Sequence, residues 1–425
     1  MFYIKQKEKK KSEKCSIFII YMNINFKSLL CAISEALDYV EGSITGATHN
    51  HAKRVAYMSA VIGKKAGIGD SDLADLSACA LLHDNALTEY IHNEQSAGIN
   101  VLIHPEQTKL GSHCTIGERN ISSMPFYPRV KEVILYHHER PDRKGPFNKS
   151  SGDIPLYSRI IHLADLVDIG FPPEKYGDGS GSQILSFIRK YQNIFFDKDI
   201  VTLFSSCISE GIFLKLKNEN TEMLLDSAFP EKNCVYGKNQ IISIAAIFAK
   251  IIDYKSTFTS THSIGISQKA LRMAQYYGWD DETQAEFYLA GALHDIGKLA
   301  IETDILEKPA KLTDGEYKRM QFHAYATWEM LRKIEGFEQI TEWASYHHEK
   351  LDGTGYPFGK TADELSYKAR LMACLDIYQA LTEPRPYRKE ISHEAAVKFL
   401  MKQADIGKLD KSCVADINIC LGKSR

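Results

Sequence analysis

The 425-residue sequence predicts an all-α protein built from two tandem copies of one helical domain. Three observations carry this expectation. Histidines recur at a fixed distance: His51, His83, His113, His137 and His138 return as His262, His294, His323, His347 and His348, at offsets of 210 or 211 residues. Apolar residues around the second set keep helical spacing. Runs of β-branched residues bounded by hairpin turns are scarce.

In chain order, residues 1–23 read as a basic and apolar tail, with a lysine-rich run from Lys5 to Lys14 followed by the apolar stretch Cys15 to Met22. That stretch is too short to span a bilayer and no small-residue cleavage site follows, so a disordered or interfacial tail fits better than an export signal. A translation start at Met22 is the alternative. The first copy occupies 24–215 and the second 239–425. Between them, 216–238 is rich in Asn, Glu and Lys, contains Pro230 and reads as a linker, with a short helix available to Met223–Phe229. The repeat also covers Asp84 and Asp295, Asp165 and Asp376, and the glutamates after each histidine pair, Glu139 and Glu349. Its register continues to Phe196-Asp197-Lys198, which resembles Leu409-Asp410-Lys411.

Helical stripes place the polar residues. Ala285, Leu289, Ala292, Leu293 and Ile296 share one face of a helix whose C-terminal end carries His294 and Asp295 and is closed by Gly297. His323 shares a stripe with Thr327, Met330, Leu331 and Ile334, and Asp376 borders one formed by Leu371, Leu375 and Tyr378. Three helices thus bring ligand-type side chains toward a common apolar interior.

Composition excludes several classes. With 44% hydrophobic and 25% charged residues the chain is globular and not disordered. A formal charge of −2 gives no electrostatic footprint for DNA or RNA duplexes. No apolar run reaches the length of a membrane span. Nine cysteines without a C-x-x-C pair suggest neither a disulfide framework nor a thiolate zinc site, and fit a reducing cytoplasm. Histidines and aspartates gathered between helices are costly unless paired or metal-bound. Imidazoles with carboxylates suit iron, manganese, nickel or zinc. A carboxylate can also bridge two ions that together generate a hydroxide nucleophile.

His262, His294-Asp295-Ile296-Gly297-Lys298, His323, His347-His348-Glu349, Asp352-Gly353-Thr354-Gly355-Tyr356-Pro357, Asp376 and Arg385-Pro386-Tyr387-Arg388 together resemble the HD-GYP family of bacterial HD metal-dependent phosphohydrolases. The resemblance spans nearly the whole second copy. It implies a metal-dependent phosphodiesterase hydrolysing cyclic di-GMP to pGpG or GMP at a two- or three-metal centre. On this resemblance His262, His294, Asp295, His323, His347, His348 and Asp376 are metal ligands, with Asp295 bridging. Asp295 and Lys298 carry catalysis, Lys298 meeting a phosphate oxygen or the leaving group. Gly353, Gly355, Tyr356 and Pro357 line the substrate, and Arg385 and Arg388 bind its second phosphate. The implied cofactor is a pair of divalent transition-metal ions, iron or manganese foremost.

Two positions depart from the family pattern. Phe258 stands where some members place a glutamate for a third metal, which favours two ions. Gln379 replaces a common second aspartate, which bears on the contact to Lys298 and on substrate choice. The first copy keeps every ligand position (His51, His83, Asp84, His113, His137, His138 and Asp165), so it too is a candidate metal site, with Ala47 four residues before His51. Its substrate-handling parts are lost. Asn85-Ala86-Leu87 replaces Ile-Gly-Lys, the loop reads Asp142-Arg143-Lys144-Gly145-Pro146-Phe147, and Glu174 and Gly177 replace the two arginines. The expected division is a catalytic second copy and a structural or regulatory first copy, where Arg143 and Lys144 leave room for a different phosphorylated ligand. The alternatives are a phosphodiesterase for another cyclic dinucleotide, such as cyclic GMP-AMP, and a non-catalytic nucleotide-binding signalling module. Partners besides the substrate are a second copy of the chain or a signalling protein.

Overall fold

The computed structural model describes residues 21–23, 25–45, 48–96, 110–177, 179–207, 210–218, 220–230, 235–256, 261–384 and 389–422. Arg385, Arg388, Ala47, Phe258 and residues 1–20 of the N-terminal tail lie outside these described residues.

The architecture is all-α. The first part of the chain forms α1 (Phe26–Thr45), α2 (His51–Lys65), α3 (Asp70–Leu81), α4 (Leu87–Ser96), α5 (Leu110–Ile121), α6 (Leu156–Gly170), α7 (Ser180–Lys190), α8 (Lys198–Cys207), α9 (Glu210–Asn218) and α10 (Thr221–Ala228). The second forms α11 (Lys238–Asp253), α12 (His262–Tyr276), α13 (Asp281–Leu293), α14 (Thr303–Leu306), α15 (Asp314–Leu331), α16 (Glu338–Ser345), α17 (Tyr367–Thr382), α18 (His393–Asp405) and α19 (Lys411–Leu421). The duplication is visible in matched pairs: α2 packs on α3 and α6 as α12 packs on α13 and α17.

Local chemistry sets the helix starts that matter here. Asp280 accepts from the Thr283 N–H at 2.7 Å to open α13. Thr313 and Glu316 form a reciprocal capping box at the start of α15. Asp410 accepts from Ser412 at 2.9 Å to begin α19. The buried carboxylate of Asp253 receives the Ser263 N–H at 2.9 Å at the first turn of α12, and Asp38 serves Ala52 on α2 in the same way at 3.1 Å.

The segment read as a linker is built into the fold. Leu224 and Leu225 of α10 are buried, and α10 packs on α2. Val235–Gly237 forms an antiparallel ribbon with Tyr21–Asn23, Met22 lying opposite Tyr236. Helix α1 lies between the copies, packing on α2 and α3 and also on α15 and the 3-10 turn Ile296–Ala300. Its Glu35 carboxylate binds Lys53 of the first copy at 2.9 Å and Lys333 of the second at 3.2 Å. On α11, Lys250 reaches Glu89 at 2.8 Å. No helix among the described residues is long and apolar enough to cross a membrane.

Candidate metal centre and substrate loop

All seven ligand positions inferred for the second copy converge. His262 opens α12, His294 and Asp295 follow the last residue of α13, His323 sits within α15, His347 and His348 follow α16, and Asp376 lies within α17. They form two groups. His262, His294 and Asp376 present ligand atoms within 4.8 Å of one another, and so do His323, His347 and His348. Asp295 stands between them, one oxygen 3.5 Å from His323 Nε2 and the other 3.1 Å from His294 Nε2.

The ring orientations suit metal ions. His294 Nδ1 faces the Gly291 carbonyl at 2.8 Å, His323 Nδ1 the Met320 carbonyl at 2.5 Å and His347 Nδ1 the Ala344 carbonyl at 2.6 Å. A carbonyl can only accept, so each Nδ1 carries the proton and each Nε2 turns a lone pair inward. His323 Nε2 and His347 Nε2 then face each other at 3.3 Å, two lone pairs with no proton to share. A divalent cation satisfies that arrangement.

Electrostatics agree. Burial alone would raise the Asp295 carboxyl, but His294 and Lys298 beside it hold it well below the ordinary carboxylate range. Burial, with His294 close by, pushes His347 down to about 3, and burial with His347 adjacent pushes His348 well down. Both are therefore neutral, as ligands must be. His262 differs: burial works to lower it, but the Asp376 and Glu383 carboxylates bring it up to about 9.

Sequence reasoning missed Glu383. It accepts from His262 Nδ1 at 3.0 Å, the part that Asp168 plays for His51 at 2.7 Å in the first copy. Gln379 stands at the Asp168 position and donates to Glu383 at 2.7 Å, so the carboxylate has moved one helical turn along α17 and Gln379 supports it. Gln379 thus bears on His262, while Lys298 Nζ contacts Asp295 at 2.5 Å.

Gly297 does not close α13 as the sequence suggested. That helix ends at Leu293, and Gly297 lies in the 3-10 turn after Asp295. Its role is close approach, since a Cβ there would fall 2.0 Å from the His323 carbonyl oxygen.

The Gly353–Pro357 loop hangs on Glu349, which accepts backbone N–H bonds from Phe358 at 2.7 Å and Lys360 at 3.0 Å. Gly355 permits this fold-back, because a Cβ would lie 2.4 Å from the Lys350 nitrogen. Tyr356 then covers His348, the rings 4.7 Å apart. In the first copy Glu139 binds Phe147 and Lys149 through the same pattern. There the loop is one residue shorter: Gly145-Pro146-Phe147 replaces Gly355-Tyr356-Pro357-Phe358, and the tyrosine is the residue deleted. A cavity of about 1040 Å³ opens in that region, with His138, His162 and Asp165 on the side of the histidine cluster and Arg140, Phe147 and Phe195 among its walls.

The seven first-copy positions also converge, joined by two residues the sequence did not single out. Glu41 on α1 groups with His51, His83 and Asp165, and Cys114 on α5 groups with His113, His137 and His138. Glu41 Oε1 lies 3.1 Å from His51 Nε2, so a carboxylate ten residues before His51 reaches the site. Burial alone would raise the Cys114 thiol, but His137 and His113 bring it down to about 6. Leu87 replaces Lys298, and the chain continues there into α4.

Comparison with known proteins agrees with this geometry. The HD domain family matches residues 44–199 and 246–413. The 3'3'-cGAMP-specific phosphodiesterase 1 of Vibrio cholerae is 30% identical over 402 residues, covering 92% of this chain and 90% of its own. A cyclic di-GMP phosphodiesterase of Pseudomonas aeruginosa is 37% identical over 144 residues, 33% of this chain and 34% of its own. The crystal structure of a cyclic GMP-AMP-specific phosphodiesterase from V. cholerae superposes with a TM-score of 0.66 at 23% identity, covering 95% of this chain and 99% of that one, which identifies the shared fold. Matched in both copies and aligned almost end to end with such a relative, this chain belongs to the HD-domain family, whose members beside it here are cyclic-dinucleotide phosphodiesterases.

Proposed function

We propose that the protein is a metal-dependent phosphodiesterase that opens a cyclic dinucleotide at the second copy, with the first copy non-catalytic. One contrast carries this reading: Lys298 sits on Asp295 at 2.5 Å beside two histidine groups, while the first copy has the matching histidines and aspartates but Leu87 in place of the lysine. Divalent ions held by the seven ligands would supply an activated water and screen the phosphoryl oxygens. The chain's own residues do the rest. The backbone carbonyls of Gly291, Met320 and Ala344 fix the imidazoles, and Asp295 spans the two groups. Lys298 neutralises charge on a phosphoryl oxygen or the departing oxygen. Tyr356 and the Gly353–Pro357 loop form the wall against a nucleobase, and Arg385 and Arg388 take the second phosphate.

The substrate candidates are cyclic di-GMP and 3'3'-cGAMP. Coverage favours 3'3'-cGAMP: the V. cholerae 3'3'-cGAMP-specific relative aligns across both copies, whereas the P. aeruginosa cyclic di-GMP relative aligns over a third of the chain. The deciding experiment is turnover of each nucleotide by the full chain loaded with iron or manganese, with products resolved by chromatography. Faster release of linear product from 3'3'-cGAMP is expected. Binding of either nucleotide with no linear product would replace this reading with a non-catalytic signalling module.

A further inference from the structure

Cys114 stands where the second copy has Ala324, and nothing in the proposed chemistry uses it. It follows His113 directly on α5, yet both side chains face the same interior point. Cys114 Sγ lies 3.9 Å from His113 Nε2, and His113 Nε2 lies 3.3 Å from His137 Nε2. With His138, the four ligand atoms fall within 4.8 Å of one another. A tetrahedral zinc ion with nitrogen at 2.0–2.1 Å and sulfur near 2.3 Å requires ligand separations of about 3.3–3.7 Å; the His113–His137 separation is 3.3 Å and the Cys114–His113 separation 3.9 Å. The Nδ1 of His137 is tied to the Ile134 carbonyl at 2.6 Å, which aims its Nε2 at the same point. Asp84 Oδ1, buried and without a hydrogen bond, lies 3.4 Å from His113 Nε2.

We propose that His113, Cys114, His137 and His138 form a site with one thiolate and three imidazoles that binds zinc, chemically distinct from the sulfur-free centre of the second copy. Thiolate is a soft ligand and shifts selection toward zinc and away from manganese. Binding is a proton exchange: the proton shared between the Cys114 sulfur and its histidine neighbours leaves to solvent as the sulfur–metal bond forms, with no change of oxidation state. The absence of a C-x-x-C pair does not argue against it, because the other ligands arrive from different parts of the fold. The proposal rests on reading the histidine groups as metal sites, and the second copy serves as an internal control for that reading.

The test uses the full chain, stripped of metal by a chelator and saturated with cobalt(II). The wild type should show sulfur-to-cobalt charge transfer in the near ultraviolet together with the visible bands of imidazole-bound cobalt. Cys114→Ala should lose the charge-transfer band completely and keep the visible bands of the second copy. Cys114→Ser should do the same with an unchanged circular dichroism spectrum, which excludes misfolding as the cause. Zinc bound by the wild type from a zinc and manganese mixture should fall by about one ion per chain in either variant. A charge-transfer band that survives in Cys114→Ala, or is missing from the cobalt-saturated wild type, overturns the proposal. Absence of all cobalt absorption overturns the metal reading of both copies as well.

Discussion

Asp295 and Asp84 occupy one position in two copies, but among the described residues only Asp295 is paired with a lysine. Asp295→Asn is expected to abolish hydrolysis with the helical spectrum preserved, since an amide cannot carry the charge that serves both histidine groups. Asp84→Asn should leave substantial activity, and a loss of turnover in Asp84→Asn as complete as in Asp295→Asn, with the second-copy metal content of the Asp84 variant intact, would refute the division of labour. Lys298→Ala should lower kcat by roughly 10²-fold, because its charge acts as the leaving oxygen develops. Arg385→Ala should mainly raise KM through lost phosphate binding, and steady-state kinetics separate the two. Titration gives a further expectation. With its pKa brought up to about 9, His262 carries a proton at neutral pH in the metal-free chain, and a metal must displace it. Apparent metal affinity should therefore rise with pH, by up to about tenfold per unit, and level off above His262's pKa. Glu383→Gln removes the carboxylate at 3.0 Å and should flatten that dependence, as read by calorimetry in buffers of differing ionisation enthalpy.

At the scale of elements, the stripes on α13, α15 and α17 were legible because apolar residues recur at helical spacing, and the ligand-bearing ends of those elements follow from them. The deleted tyrosine was legible too, as the step from an offset of 210 at His138 and His348 to 211 at Asp165 and Asp376. Glu383, Glu41 and Cys114 were not. Glu383 sits one turn beyond the position the repeat marks, Glu41 comes from a helix with no histidine, and Cys114 has no cysteine at a zinc-ligand spacing. Such residues gain meaning only once separate helices are folded together. Glu349 is the element-level test. Glu349→Ala leaves the Phe358 and Lys360 N–H groups without their acceptor, at a cost of about 1–3 kcal/mol. The expected outcome is a modest fall in Tm with a larger rise in KM, as the loop carrying Tyr356 loses its anchor.

Across the whole molecule, two similar ligand sets carry different surroundings. Tyr356 covers His348 in one copy, while a cavity of about 1040 Å³ stands at the corresponding place in the other. The seven second-copy ligands suffice for two ions if Asp295 bridges them. Elemental analysis of the full chain should find two ions assigned to the second copy by loss in Asp295→Asn, and up to two more that survive that change. Three ions lost together in Asp295→Asn would contradict the two-metal centre.

Helix α1 and the ribbon joining Tyr21–Asn23 to Val235–Gly237 also govern the order in which a newly made chain can mature. During synthesis the first copy leaves the ribosome with Met22 still lacking Tyr236, and with one side of α1 waiting for residues near 300. Pairings so distant in sequence close late. The N-terminal half thus remains unfinished until the second copy emerges, and the Ile296–Ala300 turn bearing Lys298 gains its cover from α1, the first of the described helices. Severing the chain between the copies would yield two fragments, each missing a surface that the other was shaped to provide.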